Sequence, residues 1–266
     1  TGDYTLIVTT SNPNDVEDEV VGNSSVELEI TVNEKPLVEV VEFEDVLCFG
    51  ESSGSIDVLV SGGTPEYEFL WDNDGGTDED ASELVPNIYT LVVSDINGCQ
   101  DSITQEITQP DEIILTITVT EDAECYGAEE GEANVVVSGG TPGYTYLWST
   151  GGTGVTETGL LGGENTISVT DENLCEMVDT FTVASPTEII TETEIVQADC
   201  GMDNGEVLVT VSGGTPGYTY SWSTGDVTED LIGAYAGMHT LTLTDENDCA
   251  VILDYVISED LAPEII

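Results

Sequence analysis

Hydrophobic and polar positions alternate in short runs along most of the chain. Val58 and Val60 stand against Asp57 and Leu59, and Val207, Val209 and Val211 stand against Leu208 and Thr210. Alternation with period two places one side chain toward a core and the next toward solvent, the pattern of a half-buried β-strand. Each run stops at the same phrase: Ser61-Gly62-Gly63-Thr64-Pro65, Ser138-Gly139-Gly140-Thr141-Pro142 and Ser212-Gly213-Gly214-Thr215-Pro216. Gly-Gly-Thr-Pro is turn chemistry, with glycines for left-handed backbone and a proline that cannot continue a ladder. A second alternation follows each turn: Tyr67, Phe69, Trp71; Tyr144, Tyr146, Trp148; Tyr218, Tyr220, Trp222. Spacing by two sets these rings on one strand face, and core packing is the expected role of Trp71, Trp148 and Trp222. Further strands are predicted at Tyr89 to Val93, Thr166 to Val169, Thr240 to Leu243 and Thr180 to Ala184. No segment sustains a helical period over three turns.

All markers recur together with a period of about 75 residues, so the chain is one folding unit copied in tandem. Six or seven short strands per unit around one tryptophan predict an all-β fold, a rod-like array of tandem immunoglobulin-like β-sandwiches. The expected divisions are 1–36, the end of a preceding unit; 37–110; 111–186; and 187–266, a unit followed by the start of the next. The first and last segments carry that prediction. Gly2-Asp3-Tyr4-Thr5-Leu6-Ile7-Val8 matches Asn87 to Val93, and Ala262 to Ile266 matches the Pro110 and Pro186 phrases that open later units.

Each unit holds two cysteines: Cys48 and Cys99, Cys125 and Cys175, Cys200 and Cys249. A domain of this size has a modest core, so one disulfide inside each unit is the expected staple. Closing a loop of about 50 residues removes roughly 3 to 4 kcal/mol of unfolded-state entropy. Disulfides place the chain in an oxidising compartment or outside the cell.

Fifty-five acidic residues face one basic residue, Lys35, for a formal net charge of −54. Nucleic acid and anionic lipid are poor partners on that ground, and no nucleic acid is expected. So much repulsion predicts a setting rich in salt or divalent cations. No apolar run approaches the roughly 20 residues of a membrane span, so no membrane insertion is expected in this segment.

Catalytic chemistry finds little to stand on. His239 is the single imidazole, expected at a surface or strand edge, so Ser-His-Asp and Cys-His sites are not expected, and neither is an enzyme. Calcium is the one candidate cofactor: Asp72, Asp74, Asp78 and Asp80 alternate around Gly75 and Gly76 in a loop of hard oxygen ligands. The recurring Asp95, Asp171 and Asp245, beside Asn97, Asn173 and Asn247, are read instead as turns that hydrogen-bond their own backbone. Asn23-Ser24-Ser25 and Asp101-Ser102-Ile103 are glycosylation-like triplets, short enough to arise by chance.

The full phrase of each unit is Cys, a short acidic stretch with glycine, G-x-x-x-V-x-V-S-G-G-T-P-x-Y-x-Y-x-W, a variable middle, then G-x-Y-x-L-x-V-x-D-x-N-x-C. It resembles the SprB repeat of Bacteroidota cell-surface proteins, over about Leu37 to Ile257. In the first fragment Ser11 to Gly22 replaces the Asp-x-Asn-x-Cys turn and no cysteine appears. The resemblance implies a segment of a large type IX secreted adhesin at the bacterial surface, used for attachment and gliding motility. A second reading is a building block of a multi-chain extracellular filament or hook for attachment or prey contact. A third is a glycan-binding module, for which Phe49, Tyr126 and Tyr235 are the candidate exposed aromatics. The expected partners are correspondingly other copies of the chain, surface polysaccharide, or a host or prey surface.

Overall fold

In the computed structural model, residues 2–8 and 26–260 are described, with side chains from residue 33 onward. The expectations for Ser11 to Gly22, Asn23-Ser24-Ser25 and Ala262 to Ile266 lie outside the described residues. Strands β1 (Gly2–Val8) and β2 (Val26–Val32) pair antiparallel, Gly2 opposite Val32 and Val8 opposite Val26. The described residues otherwise gather around three hydrophobic cores, one in a first compact unit and two in a second.

The middle sandwich shows the plan. One sheet holds β9 (Ile114–Glu121), β10 (Glu129–Ser138) and β12 (Thr156–Leu161), in the order β12-β10-β9. The other holds β11 (Thr145–Trp148), β13 (Gly163–Thr170) and β14 (Glu176–Val183), in the order β11-β13-β14. All pairings are antiparallel. In immunoglobulin letters these sheets are A-B-E and C-F-G, the constant-type arrangement without strand D.

The first sandwich repeats the plan with β3 (Pro36–Glu44), β4 (Gly54–Gly62) and β6 (Ala81–Leu84) against β5 (Glu68–Trp71), β7 (Asn87–Ser94) and β8 (Gln100–Ile107). The third does so with β15 (Ile190–Val196), β17 (Gly205–Ser212) and β19 (Leu231–Ala234) against β18 (Thr219–Trp222), β20 (Gly237–Thr244) and β21 (Ala250–Ile257). It adds a short parallel pair, β16 (Ala198–Asp199) with β22 (Glu259–Asp260). The chain therefore consists of tandem immunoglobulin-like sandwiches.

The alternation read from sequence is the alternation of burial. Along β17, Gly205, Val207 and Val209 are buried while Thr210 and Ser212 are exposed. Trp71, Trp148 and Trp222 are buried at 5%, 2% and 3% exposure, and each indole N–H donates to a carbonyl of the C–E crossover: Asp78, Gly154 and Thr228. Burial of the ring and satisfaction of its one donor explain why tryptophan recurs here.

Strand direction fixes two poles in each sandwich. Strand A begins at an entry pole, beside the B–C and F–G turns; strand G ends at an exit pole, beside the A–B and E–F turns. In the middle sandwich, Gly163 opposite Val183 marks the exit end of the F–G pair and Thr170 opposite Glu176 the entry end. The A–B turn is fastened at the exit, where Ala123 N–H donates to Ala184 O at 3.0 Å and Ala184 N–H to Asp122 Oδ1 at 2.9 Å.

Candidate functional site

Both cysteines of a unit sit in turns, but at opposite poles. Cys125 lies in the A–B turn at the exit and Cys175 in the F–G turn at the entry, at the two ends of eight-residue β13. Eight residues rising about 3.3 Å each separate them by roughly 25 Å, whereas a disulfide needs Cα atoms about 4.4 to 6.8 Å apart. The staple expected inside each unit is therefore not formed. Cys125 is bonded instead to Cys249, 124 residues on, in the F–G turn of the third sandwich, with Cα atoms 5.6 Å apart. Cys48 and Cys175 are also disulfide-bonded. Cys99 and Cys200 carry free thiols.

The junction between the middle and third sandwiches is thus a built site. Asn247 Nδ2 donates to Glu124 O across it at 3.0 Å. Beside the bridge runs a cleft of about 400 Å³ lined by Tyr126, Thr187, Ile189, Asp245 and Val251. Two glycines let the chain pass this closely. Gly213 and Gly214 have φ of +77° and +58°, and a Cβ on Gly213 would lie 1.9 Å from Glu188 O. Only glycine accepts both the left-handed backbone and the approach.

The Asp of each F–G turn organises that turn, as the sequence suggested. Asp245 Oδ1 accepts the N–H groups of Asn247 and Cys249 at 3.0 and 2.9 Å, and Oδ2 accepts Thr215 N–H of the B–C turn at 2.8 Å. Asp95 does the same with Asn97, Cys99 and Thr64. Asp171 accepts Cys175 N–H at 2.9 Å. Burial works against the Asp95 carboxylate, yet the N–H donors of Cys99, Thr64 and Asn97 hold it below the ordinary carboxylate range. One carboxylate therefore locks the cysteine-bearing turn to the Gly-Gly-Thr-Pro turn.

In the acidic loop, two of the four aspartates accept hydrogen bonds from backbone N–H groups. Asp72 Oδ1 accepts Thr90 N–H at 2.6 Å, and Asp80 Oδ1 accepts Val58 N–H at 3.0 Å. Asp80 has a direct counterpart in Asp230, which accepts Val209 N–H at 2.9 Å, so its role is to close strand B at the crossover. Burial, then a hydrogen bond and repulsion from Asp80, push the neighbouring Asp57 carboxyl up. Among the described residues, no group of three or more His, Cys, Asp or Glu side chains is placed to hold a metal ion.

His239 is not a surface or edge residue; it is fully buried. Its Nε2 lies 2.8 Å from Tyr235 O, four residues upstream, and its ring 4.6 Å from the Tyr235 ring. Tyr89 OH donates to Val85 O at 3.0 Å and Asn165 Nδ2 to Leu161 O at 2.8 Å, from the same strand position and over the same separation. Three different side chains perform the corner bond at the start of strand F. Sequence reading missed it because the residue type changes, although the position is fixed by its distance from the Asp-x-Asn-x-Cys phrase.

Phe49, Tyr126 and Tyr235 are all half-exposed or more. Phe49 and Tyr126 each follow a cysteine in an A–B turn, and Tyr235 packs on His239. Lys35 Nζ donates to Asp101 Oδ1 at 2.7 Å, and this bond, followed by Val38 N–H, lowers the Asp101 carboxyl. Ser102 beside it is exposed on β8.

The SprB repeat family matches residues 40–76, 117–153 and 193–227, once in each sandwich from strand A to the crossover. Among solved structures, the eight N-terminal Ig domains of Down Syndrome Cell Adhesion Molecule isoform 1.30.30 align over 97% of this chain at 12% identity, with a TM-score of 0.41. The chain spans 43% of that fragment. Three N-terminal domains of the bacteriophage RB49 Highly Immunogenic Outer Capsid protein align over 87% of this chain and 99% of theirs, at 15% identity and a TM-score of 0.34. Domains 1–6 of surface layer protein SbsC align over 98% of this chain and 45% of theirs, at 12% identity and a TM-score of 0.24. With such scores the fold assignment rests on strand order. No curated protein matches the chain.

Proposed function

From the premise that this chain carries three SprB repeats, we propose that it is a load-bearing segment of a large secreted bacterial surface adhesin. The repeats serve as spacers that carry tension between a cell and whatever the adhesin grips, as in attachment or gliding after type IX secretion. The observation that carries this reading is the Cys125–Cys249 bridge. Strand A enters at one pole of a sandwich and strand G leaves at the other, so tension along the chain pulls on opposite ends. A bridge from the exit turn of one sandwich to the entry turn of the next gives that tension a covalent path past the junction. Catalysis has no part in the reading, and the strongly acidic surface keeps such a segment from collapsing onto itself or onto nucleic acid.

Single-molecule pulling tests it. Stretching the chain in oxidising buffer should release no length from between Cys125 and Cys249. After reduction that segment should yield about 400 Å of additional extension. Full extension of the segment before reduction defeats the load-bearing reading.

A further inference from the structure

The cleft at the junction of the middle and third sandwiches is built from three segments. Tyr126 comes from the A–B turn of the middle sandwich, and Glu188 and Ile189 from the stretch that enters β15. Asp245 and Asp248 come from the F–G turn of the third sandwich, and Val251 from the strand after it. Cys125 and Cys249 also line the cleft, so their covalent bond ties its opposing sides together. At about 400 Å³ it lies within the size range of preformed ligand sites. Its lining combines an aromatic ring, Tyr126 at 60% exposure, with aliphatic side chains and carboxylates.

The chain has no basic side chain to set against these carboxylates. Its single basic residue, Lys35, is bonded to Asp101 Oδ1 at 2.7 Å, and its single imidazole, His239, is fully buried with Nε2 against Tyr235 O. Asp245 is buried at 3% exposure, and both its oxygens accept backbone N–H groups, from Asn247, Cys249 and Thr215. It therefore adds negative potential to the cleft without offering a contact. Glu188 and Asp248 are exposed and open to a ligand. The turn does not require an acid at position 248. Gly98 and Leu174 fill the same left-handed position in the first and middle sandwiches, with φ of +76° and +66° against +63° for Asp248.

From this charge complementarity we infer that the cleft receives a basic side chain, lysine or arginine, presented by a partner polypeptide. The aliphatic stem lies along Ile189 and Val251, as long basic side chains cover apolar surface while their charged heads stay in polar surroundings. The head meets Glu188 and Asp248 and the Tyr126 ring, whose quadrupole attracts a cation. A neutral sugar would stack on the same ring but leave the carboxylate charge unanswered, so the cation is the better fit. Because the bridge fixes both sides of the cleft in advance, little ordering is left for the partner to impose. The inference goes beyond the load-bearing role: it gives the junction a partner chemistry and needs no tension.

The test is an amide-resolved NMR titration of the oxidised chain with the tripeptide Gly-Lys-Gly, acetylated and amidated at its ends. At about 0.15 M sodium chloride the Debye length is about 8 Å, so distant carboxylates are screened. Shifts should concentrate on the amides of Tyr126, Glu188, Ile189 and Val251. The same peptide with norleucine for lysine keeps the stem, lacks the charge and should shift none of them. Tyr126→Leu and Asp248→Gly should each weaken binding about threefold, and the double variant about tenfold. Tyr126→Phe should bind as the native chain does, and Asp248→Gly preserves the turn, as Gly98 shows. Unchanged amide positions away from the cleft verify that each variant is folded. Shifts that spread over the acidic surface and ignore these substitutions overturn the inference, as does the absence of shifts at the cleft amides with millimolar peptide. Equal binding of the norleucine peptide overturns it too. So does methyl glucoside moving the cleft amides where the lysine peptide does not, which would mark a sugar site. None of these outcomes touches the load-bearing reading, which the pulling experiment decides.

Discussion

At the scale of single residues, the chain solves one problem with three side chains. Tyr89, Asn165 and His239 each hold the E–F corner by a bond to a carbonyl four residues upstream. Replacing His239 with alanine leaves Tyr235 O without its partner and a void under the sheet. The expected loss is about 1 to 3 kcal/mol, measured by denaturant unfolding of the third sandwich. Replacement with asparagine should recover most of it, as Asn165 already shows the geometry; an asparagine variant as weak as alanine would refute the shared role. The Asp95 turn gives a prediction in pH. Its folded carboxyl lies below the ordinary range, so the turn contributes stability that is present above that range and lost as pH falls through the folded value. Thermal melting of the native chain should therefore decline on acidification below the ordinary carboxylate range. The Asp95→Asn variant, with no proton to gain there, should lack that component.

At the scale of elements, period-two patterning made the strands and the buried tryptophan face readable, because a half-buried strand must alternate. The turns were readable for a similar reason: Gly-Gly-Thr-Pro and Asp-x-Asn-x-Cys each demand a backbone that few residues allow. The pairing of cysteines was not read correctly. Nearness in sequence suggested Cys125 with Cys175, yet that choice depends on strand direction, which local patterning does not record. The necessary signal was nonetheless present. In the A-B-E and C-F-G order, the A–B and F–G turns fall at opposite poles, which forbids the bond within one sandwich. Packing adds another constraint, at a glycine at or near the start of strand B. A Cβ on Gly131 would lie 2.7 Å from Val183 Cγ1 and 3.0 Å from Leu160 O, and Gly54 and Gly205 face Ile107 and Ile257 in the same way. Gly131→Ala should force strand G away from the sheet and cost about 1 to 3 kcal/mol in urea unfolding. A neutral result would mean that strand G shifts freely.

At the scale of the whole molecule, two opposing effects meet at the junctions between sandwiches. The net charge of −54 drives acidic modules apart, most strongly at low salt, where the Debye length grows to about 30 Å at 0.01 M. The Cys125–Cys249 bridge resists that separation and also constrains the unfolded chain. It closes a loop of more than a hundred residues, for which the entropy removed corresponds to about 5 kcal/mol at room temperature. Replacing both Cys125 and Cys249 with serine should therefore remove several kcal/mol from the unfolding of the second and third sandwiches. The loss should depend on salt: without the bridge, contacts such as that of Asn247 with Glu124 O are left to hold the junction against repulsion. The variant's melting temperature should then rise more steeply than the native chain's between 0.01 and about 1 M sodium chloride, as screening shortens the repulsion to a few ångströms. Parallel salt dependences for the two proteins would show that the sandwiches do not repel across the junction and that the bridge acts on the unfolded chain alone.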